Sequence, residues 1–156
     1  MDCGVIRRVT ADDLDNIIEL ERKCFNKYTA YTPRQLRYLI TIANSNCLAE
    51  TFDKKLRGFI IVLYNNCTKV AGIETINVDP IFQGKGIGKK LLMAAEEDMG
   101  TRLIKKIRLE VSVGNIYAIK LYEKLGFRKI SFIKDYYNFK QYESYDAYRM
   151  IKQLET

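Results

Sequence analysis

The segment Gln83-Gly-Lys-Gly-Ile-Gly-Lys89 places three glycines at alternate positions between a strand-like run and a helix-like run. Gly84, Gly86 and Gly88 let the backbone approach a ligand closely and turn successive N–H groups to one side. A helix starting there adds free amides and the positive end of its dipole, and Lys85, Lys89 and Lys90 add charge. This chemistry suits a phosphate, and the spacing narrows which one. A P-loop needs G-x-x-x-x-G-K-[ST], a pattern that Lys90 and Leu91 break. A dinucleotide fingerprint needs G-x-G-x-x-G and a later acid, but this loop reads G-x-G-x-G and Ile104 to Arg108 contains no acid.

A second group lies downstream. In Lys106 to Val113 the apolar Ile107, Leu109, Val111 and Val113 alternate with Arg108, Glu110 and Ser112, so Glu110 points away from the aliphatic face. It is either a solvated strand carboxylate or a group that handles protons. Ala118, Tyr122 and Leu125 share one helical stripe, so Tyr122 reads equally as a core aromatic with its hydroxyl at an edge. Asn115 reads as an N-cap. The chain has no histidine, so a general base must be a carboxylate, a tyrosine, a lysine or water. Cys3, Cys24, Cys47 and Cys67 are scattered without a C-x-x-C pair, which argues against a metal site and for reduced thiols.

The elements that position these residues follow from periodicity. Val5 to Val9 reads as a strand, and Thr10 caps a helix over Ala11 to Cys24. A polar-aromatic loop, Asn26 to Thr32, precedes a helix opened by Pro33. Asn46 to Phe52, Leu56 to Tyr64 and Lys69 to Val78 are strands with short turns between them. The glycine loop opens a helix ending near Gly100, and Lys106 to Val113 is a strand followed by a short helix capped at Asn115. Phe127 to Ile133 and Tyr145 to Ile151 close the chain as strands. The expectation is a mixed α/β sheet, not a doubly wound parallel one, in a single domain over residues 1–156.

Composition sets outer bounds. Hydrophobic content of 47% and charged content of 29% are globular values. The net charge of +7 fits a polyanionic ligand, a site near nucleic acid, or simply a basic surface. No nucleic-acid-binding motif is visible, and no apolar run is long enough for a membrane span. With no signal-peptide core at the N-terminus, the expected location is cytoplasmic.

Gln83, Gly86 and Gly88 match the [QR]-x-x-G-x-[GA] acyl-CoA pyrophosphate loop of the GNAT acetyltransferases. Leu109-Glu-Val, Asn115, Ala118, Leu121-Tyr122 and Leu125-Gly-Phe127 look like the signature downstream of it in that superfamily. Asp135-Tyr-Tyr137 and Tyr145-Asp-Ala-Tyr-Arg-Met150 resemble the ending of its N-terminal acetyltransferases, a group that includes RimI-like enzymes and archaeal catalytic subunits. The resemblance covers residues about 5 to 153 and implies the GNAT fold, a seven-stranded, mostly antiparallel α/β sheet flanked by about four helices, with acetyl-CoA as cofactor and protein N-terminal peptides as acceptors. It also leaves room for a ribosome or auxiliary subunit as partner.

Residue by residue, the resemblance implies that Ile76, Asn77 and Val78 form the strand edge that holds the pantetheine arm. The Val78 amide would polarise the thioester carbonyl. Gln83, Gly84, Lys85, Gly86, Ile87, Gly88 and Lys89 would cradle the pyrophosphate, and Asn115 and Tyr122 would contact the cofactor. Glu110 would be the general base and Tyr122 the general acid. Tyr28, Tyr31, Tyr136 and Tyr137 would flank the acceptor groove. Glu74, expected to share a face with Ile76, would be a second base, an acceptor carboxylate or half of a salt bridge. The chain departs from the family pattern at Ser112, usually arginine, and at Gly114, usually serine; Cys24-Phe-Asn-Lys27 also lacks the acid that the archaeal and eukaryotic subunits often carry there. The alternatives are a lysine or small-amine acetyltransferase of the same fold, or a non-catalytic CoA-binding or ribosome-docking module.

Overall fold

Phe59, Ile60, Ile61 and Val62 are all fully buried, and a strand buried on both faces belongs in the middle of a sheet covered on both sides. In the computed structural model, which describes residues 3–154, this strand is β3 (Lys55–Asn65). It lies among β1 (Val5–Arg8), β2 (Ser45–Phe52), β4 (Val70–Val78), β5 (Lys106–Ser112), β6 (Arg128–Ile133) and β7 (Ala147–Gln153). They form one seven-stranded sheet in the order β1-β2-β3-β4-β5-β7-β6. All neighbours are antiparallel except β4 and β5.

Side-chain alternation sorts the core into two layers. Phe59 and Ile61 meet Leu14, Ile17 and Leu36 beneath α1 (Leu14–Cys24) and α2 (Pro33–Thr41). Ile60 and Val62 meet Leu91, Met99 and Tyr122 beneath α3 (Ile87–Thr101) and α4 (Ile116–Lys124). Two boundaries differ from the sequence reading. Residues 11–13 form a 3-10 turn, not the first turn of α1. There Asp13 accepts the Thr10 N–H and both ends of the Arg7 guanidinium, each at 2.8 Å. At the other end β7 begins at Ala147, because the Tyr145 carbonyl accepts the Tyr137 N–H inside the preceding loop.

The pairing that matters for the site is short. Strands β4 and β5 are in register only from Val70–Gly72 to Lys106–Arg108. Opposite this, β3 pairs Ile61 with Thr75 but Val62 with Ile73, so Glu74 is the extra residue of a β-bulge. A bulge bends its strand and shifts the alternation by one. Beyond it, β4 and β5 diverge.

A second irregularity, between Glu50 and Thr51, leaves Arg57 as the extra residue on β3. Arg57 and Glu50 are buried and share two hydrogen bonds, Nε donating to Oε1 at 2.8 Å and Nη2 donating to Oε2. The guanidinium also lies 5.3 Å from the Phe82 ring centroid, and the Arg57 carbonyl accepts the Asp79 N–H at 2.8 Å. The pair therefore holds the link between β4 and the glycine loop. Among the described residues no helix is long and apolar enough to cross a membrane.

Replacing one partner leaves a buried charge unpaired. Arg57→Met is expected to lower unfolding free energy by about 3–5 kcal/mol in urea, with the double variant Glu50→Leu/Arg57→Met recovering most of it. Equal losses in both variants would show that the pair contributes through packing alone.

Candidate active site

Where β4 and β5 diverge, a cavity of about 370 Å³ opens between Ile73–Ile76 on one side and Leu109–Ser112 on the other. Its far walls are two loops, residues 25–32 between α1 and α2 and residues 134–146 between β6 and β7. On the other side of Ile76 lies a groove of about 290 Å³, bounded by Val78, the glycine loop, the first turn of α3 and the outer face of α4.

Glu110 lies on the floor of the cavity. Its cross-strand partner in register is Arg149, whose Nε donates to Oε2 at 3.2 Å, while the Tyr136 hydroxyl donates to Oε1 at 3.3 Å. Arg108 adds a cation at 3.6 Å. The carboxylate is thus oriented by groups from three elements. Burial, then the Glu110 charge, pushes the Tyr136 hydroxyl above its ordinary value, so it remains a donor.

Glu74 faces the opposite wall and accepts a hydrogen bond from the Tyr31 hydroxyl. Burial first, then this bond and the Glu74 charge, raise the Tyr31 pKa. Beneath them, the buried Glu21 accepts the Tyr31 N–H at 2.9 Å and the Asn77 Nδ2 at 2.6 Å. Burial pushes the Glu21 carboxyl up, against those two bonds. One carboxylate therefore ties α1 both to the inner face of β4 and to the tyrosine loop.

Tyr122 borders both the cavity and the groove. Burial pushes its hydroxyl up to about 12, with the neighbouring Tyr142 adding to the effect. A phenol in this state keeps its proton through the neutral and alkaline range, which suits a proton donor. Asn115 also borders both spaces, and its Oδ1 accepts the Ala118 N–H at 3.2 Å, so it caps α4 as well. In the groove, Gly86 precedes α3 with a left-handed φ of 79°, leaving the first amides of the helix facing outward. Gly84, Gly88 and Lys89 line the same wall. An edge of β4 beyond its last partner, an outward helix N-terminus and a lysine together fit a ligand with an amide-bearing arm and a pyrophosphate. Gln83 reaches back, its Nε2 donating to the Val78 carbonyl at 3.2 Å.

Most residues named from sequence meet here, and three are placed differently. Asn77 stays on the strand expected of it, with its side chain turned into the buried layer toward Glu21. Glu74 does not share the face of Ile76: the bulge at Glu74 sends it toward Tyr31, whereas Ile76 packs on the α3 side. Lys85 is outside the groove walls. Tyr28 is outside the cavity and 59% exposed, and it stacks on Phe139 at 5.0 Å. That stack joins the two loops that roof the cavity. Sequence reasoning missed Glu21, Arg149, Tyr117 and Tyr142. Arg149 was accessible through its register opposite Glu110, whereas Tyr142 sits in a loop with no periodic signal.

Comparison with known proteins places the chain in a family. Residues 14–127 match the family model described as Acetyltransferase (GNAT) family. The chain is 33% identical over 141 residues to an uncharacterised N-acetyltransferase of Methanocaldococcus jannaschii, covering 83% of this chain and 62% of that protein. It is 42% identical over 137 residues to the ribosomal protein bS18-alanine N-acetyltransferase of Haemophilus ducreyi, covering 85% and 88%. It is 28% identical over 158 residues to an N-alpha-acetyltransferase of Saccharolobus solfataricus, covering 96% and 92%. The fold matches the ribosomal-protein-S18-alanine N-acetyltransferase of Escherichia coli with TM-score 0.89 at 23% identity, over 99% and 96% of the two chains. It also matches an Elizabethkingia anophelis GNAT acetyltransferase with acetyl-CoA bound, with TM-score 0.81 at 17% identity, over 99% and 100%.

A methyl at Gly86 meets open space but forces a non-glycine residue into the left-handed region. Gly86→Ala is expected to weaken acetyl-CoA binding roughly ten-fold by calorimetry. An unchanged Kd would remove this turn from the cofactor site.

Proposed function

The chain belongs to the GNAT acetyltransferase family and is an acetyl-CoA-dependent N-acetyltransferase, and from that premise we propose that its acceptor is the α-amino group of a protein N-terminus. The observation that carries this reading is the Glu110 carboxylate. It is held by Tyr136 and Arg149 on the floor of a cavity that meets the cofactor groove at Tyr122. Relatives of this chain named as bS18-alanine and N-alpha acetyltransferases support the same acceptor class.

Acetyl-CoA supplies an activated acyl group as a thioester. Gly84, Gly86, Gly88 and Lys89 would hold its pyrophosphate, and the Ile76–Val78 edge would hold its arm. The Val78 N–H would donate to the thioester carbonyl oxygen. Glu110, directly or through one water, would take a proton from the incoming ammonium and pass it to solvent, because only the neutral amine attacks. Tyr122 would be the proton donor for the leaving thiolate. A protein N-terminus, with pKa about 7.7–8.0, needs far less of the base than a lysine near 10.4. Tyr31, Tyr136 and Tyr137 line the acceptor side and flank the peptide.

A specific feature favours a second reading. Glu74 and Glu21 join Glu110 in the cavity, and three carboxyl groups suit an acceptor with a second cation, such as a polyamine. Peptides with free and blocked N-termini, assayed beside spermidine, separate the two. Acetylation of free-N-terminus peptides alone is expected, and turnover confined to spermidine would overturn the peptide acceptor.

The pH profile tests the roles. The wild-type rate should rise as the amine deprotonates and should not fall again below about pH 10, because Tyr122 holds its proton up to about 12. Glu110→Gln should lose most below the amine pKa, by about 10²-fold or more, and less above it. Tyr122→Phe should lower kcat by a similar factor at every pH with little change in the Kd for acetyl-CoA. Parallel wild-type and variant profiles at full rate would remove both residues from catalysis.

A further inference from the structure

Ile76, Asn115, Tyr122 and Tyr142 border both the acceptor cavity and the cofactor groove. Tyr142 is the member contributed by the 134–146 loop, and the fold holds it in place from below. The Ser112 hydroxyl donates to the Gln141 carbonyl at 2.6 Å, and the Gly114 N–H donates to that hydroxyl at 3.3 Å. Gly114 lets the loop come closer than any other residue would, since a methyl there would stand 2.0 Å from the Tyr142 carbonyl oxygen. Tyr142 and Glu143 both take left-handed φ values, 52° and 62°, a conformation that non-glycine residues adopt only when their surroundings impose it.

The junction of cavity and groove is where an amine arriving from one side must meet an acyl carbon arriving from the other. We infer that Tyr142, which borders both spaces together with Tyr122, sets the size of the acyl group this enzyme transfers, favouring acetyl over longer chains. The inference rests on the proposed function, which places the acyl carbon between Val78 and Tyr122. The electrostatic influence of Tyr142 on both Tyr122 and Tyr137 agrees with its place at the junction. The reaction is unchanged in kind. The neutral amine nitrogen bonds to the acyl carbon, the carbon–sulfur bond breaks, the thiolate takes a proton from Tyr122, and the proton that the nitrogen gives to the base returns to Tyr122 through water.

The test is kcat/KM for acetyl-, propionyl- and butyryl-CoA with one acceptor peptide. Tyr142 is 58% exposed and lies outside the core, so its removal leaves the core intact. Tyr142→Ala is expected to raise the butyryl-to-acetyl ratio by about ten-fold or more, the discrimination typical of one or two methylenes in a pocket. Tyr142→Phe, which keeps the ring, should retain the wild-type ratio. Gly114→Ala, which pushes the loop outward, should shift the ratio in the same direction as Tyr142→Ala. An unchanged ratio in Tyr142→Ala, beside the expected loss of rate in Tyr122→Phe, overturns this inference alone. Full turnover in Tyr122→Phe overturns the site reading and this inference with it.

Discussion

The candidate site opens where two parallel strands stop pairing. Strands β4 and β5 are joined through Gly72 and Arg108 and then part, and the bulge at Glu74 in the β3–β4 pairing bends β4 just beyond that point. Unpaired strand edges inside a protein are costly unless something else hydrogen-bonds to them. Here the opening is lined by Glu110 and lies beside the groove at the glycine loop, the two spaces sharing Ile76 and Tyr122.

Holding it takes polar groups in dry places. Glu21 links α1 to Asn77 on β4 and to the Tyr31 loop. Cys24 adds an Sγ donor to the Val78 carbonyl at 3.4 Å, and Gln83 donates to the same oxygen. On the far side, Arg149 and Tyr136 fix Glu110. Buried networks of this kind position more than they stabilise, because desolvation offsets much of their attraction. The apolar layers on either side of β3 supply the stability, and the network supplies the geometry.

Much of this was legible in the residues. Strict alternation around Glu110 and the helical stripe through Tyr122 fixed the directions of both side chains, and the alternating glycines located the groove. The seven strands and four helices came from periodicity, with errors at ends where side chains intervene, as Asp13 does at the start of α1. Reading failed where period 2 fails. The bulge at Glu74 cannot be seen in Ile-Glu-Thr-Ile, so the face of Glu74 was misjudged. Tyr28 and Tyr142 lie in loops whose shape depends on partners distant in the chain, Phe139 for one and Gly114 for the other. Ser112 and Gly114 stood out as departures, but their meaning required the loop they hold.

The central claim is that the acceptor amine and the acyl carbon meet at the junction bounded by Ile76, Asn115, Tyr122 and Tyr142. A crystal structure with CoA joined covalently to the N-terminus of a short peptide tests it most directly. The account predicts the CoA arm along Ile76–Val78, the pyrophosphate at the first turn of α3, and the joining carbonyl within hydrogen-bond distance of the Val78 N–H. The peptide should leave between Tyr31 and Tyr136. A conjugate whose peptide lies away from the Glu110 cavity while the CoA arm occupies the groove would contradict it.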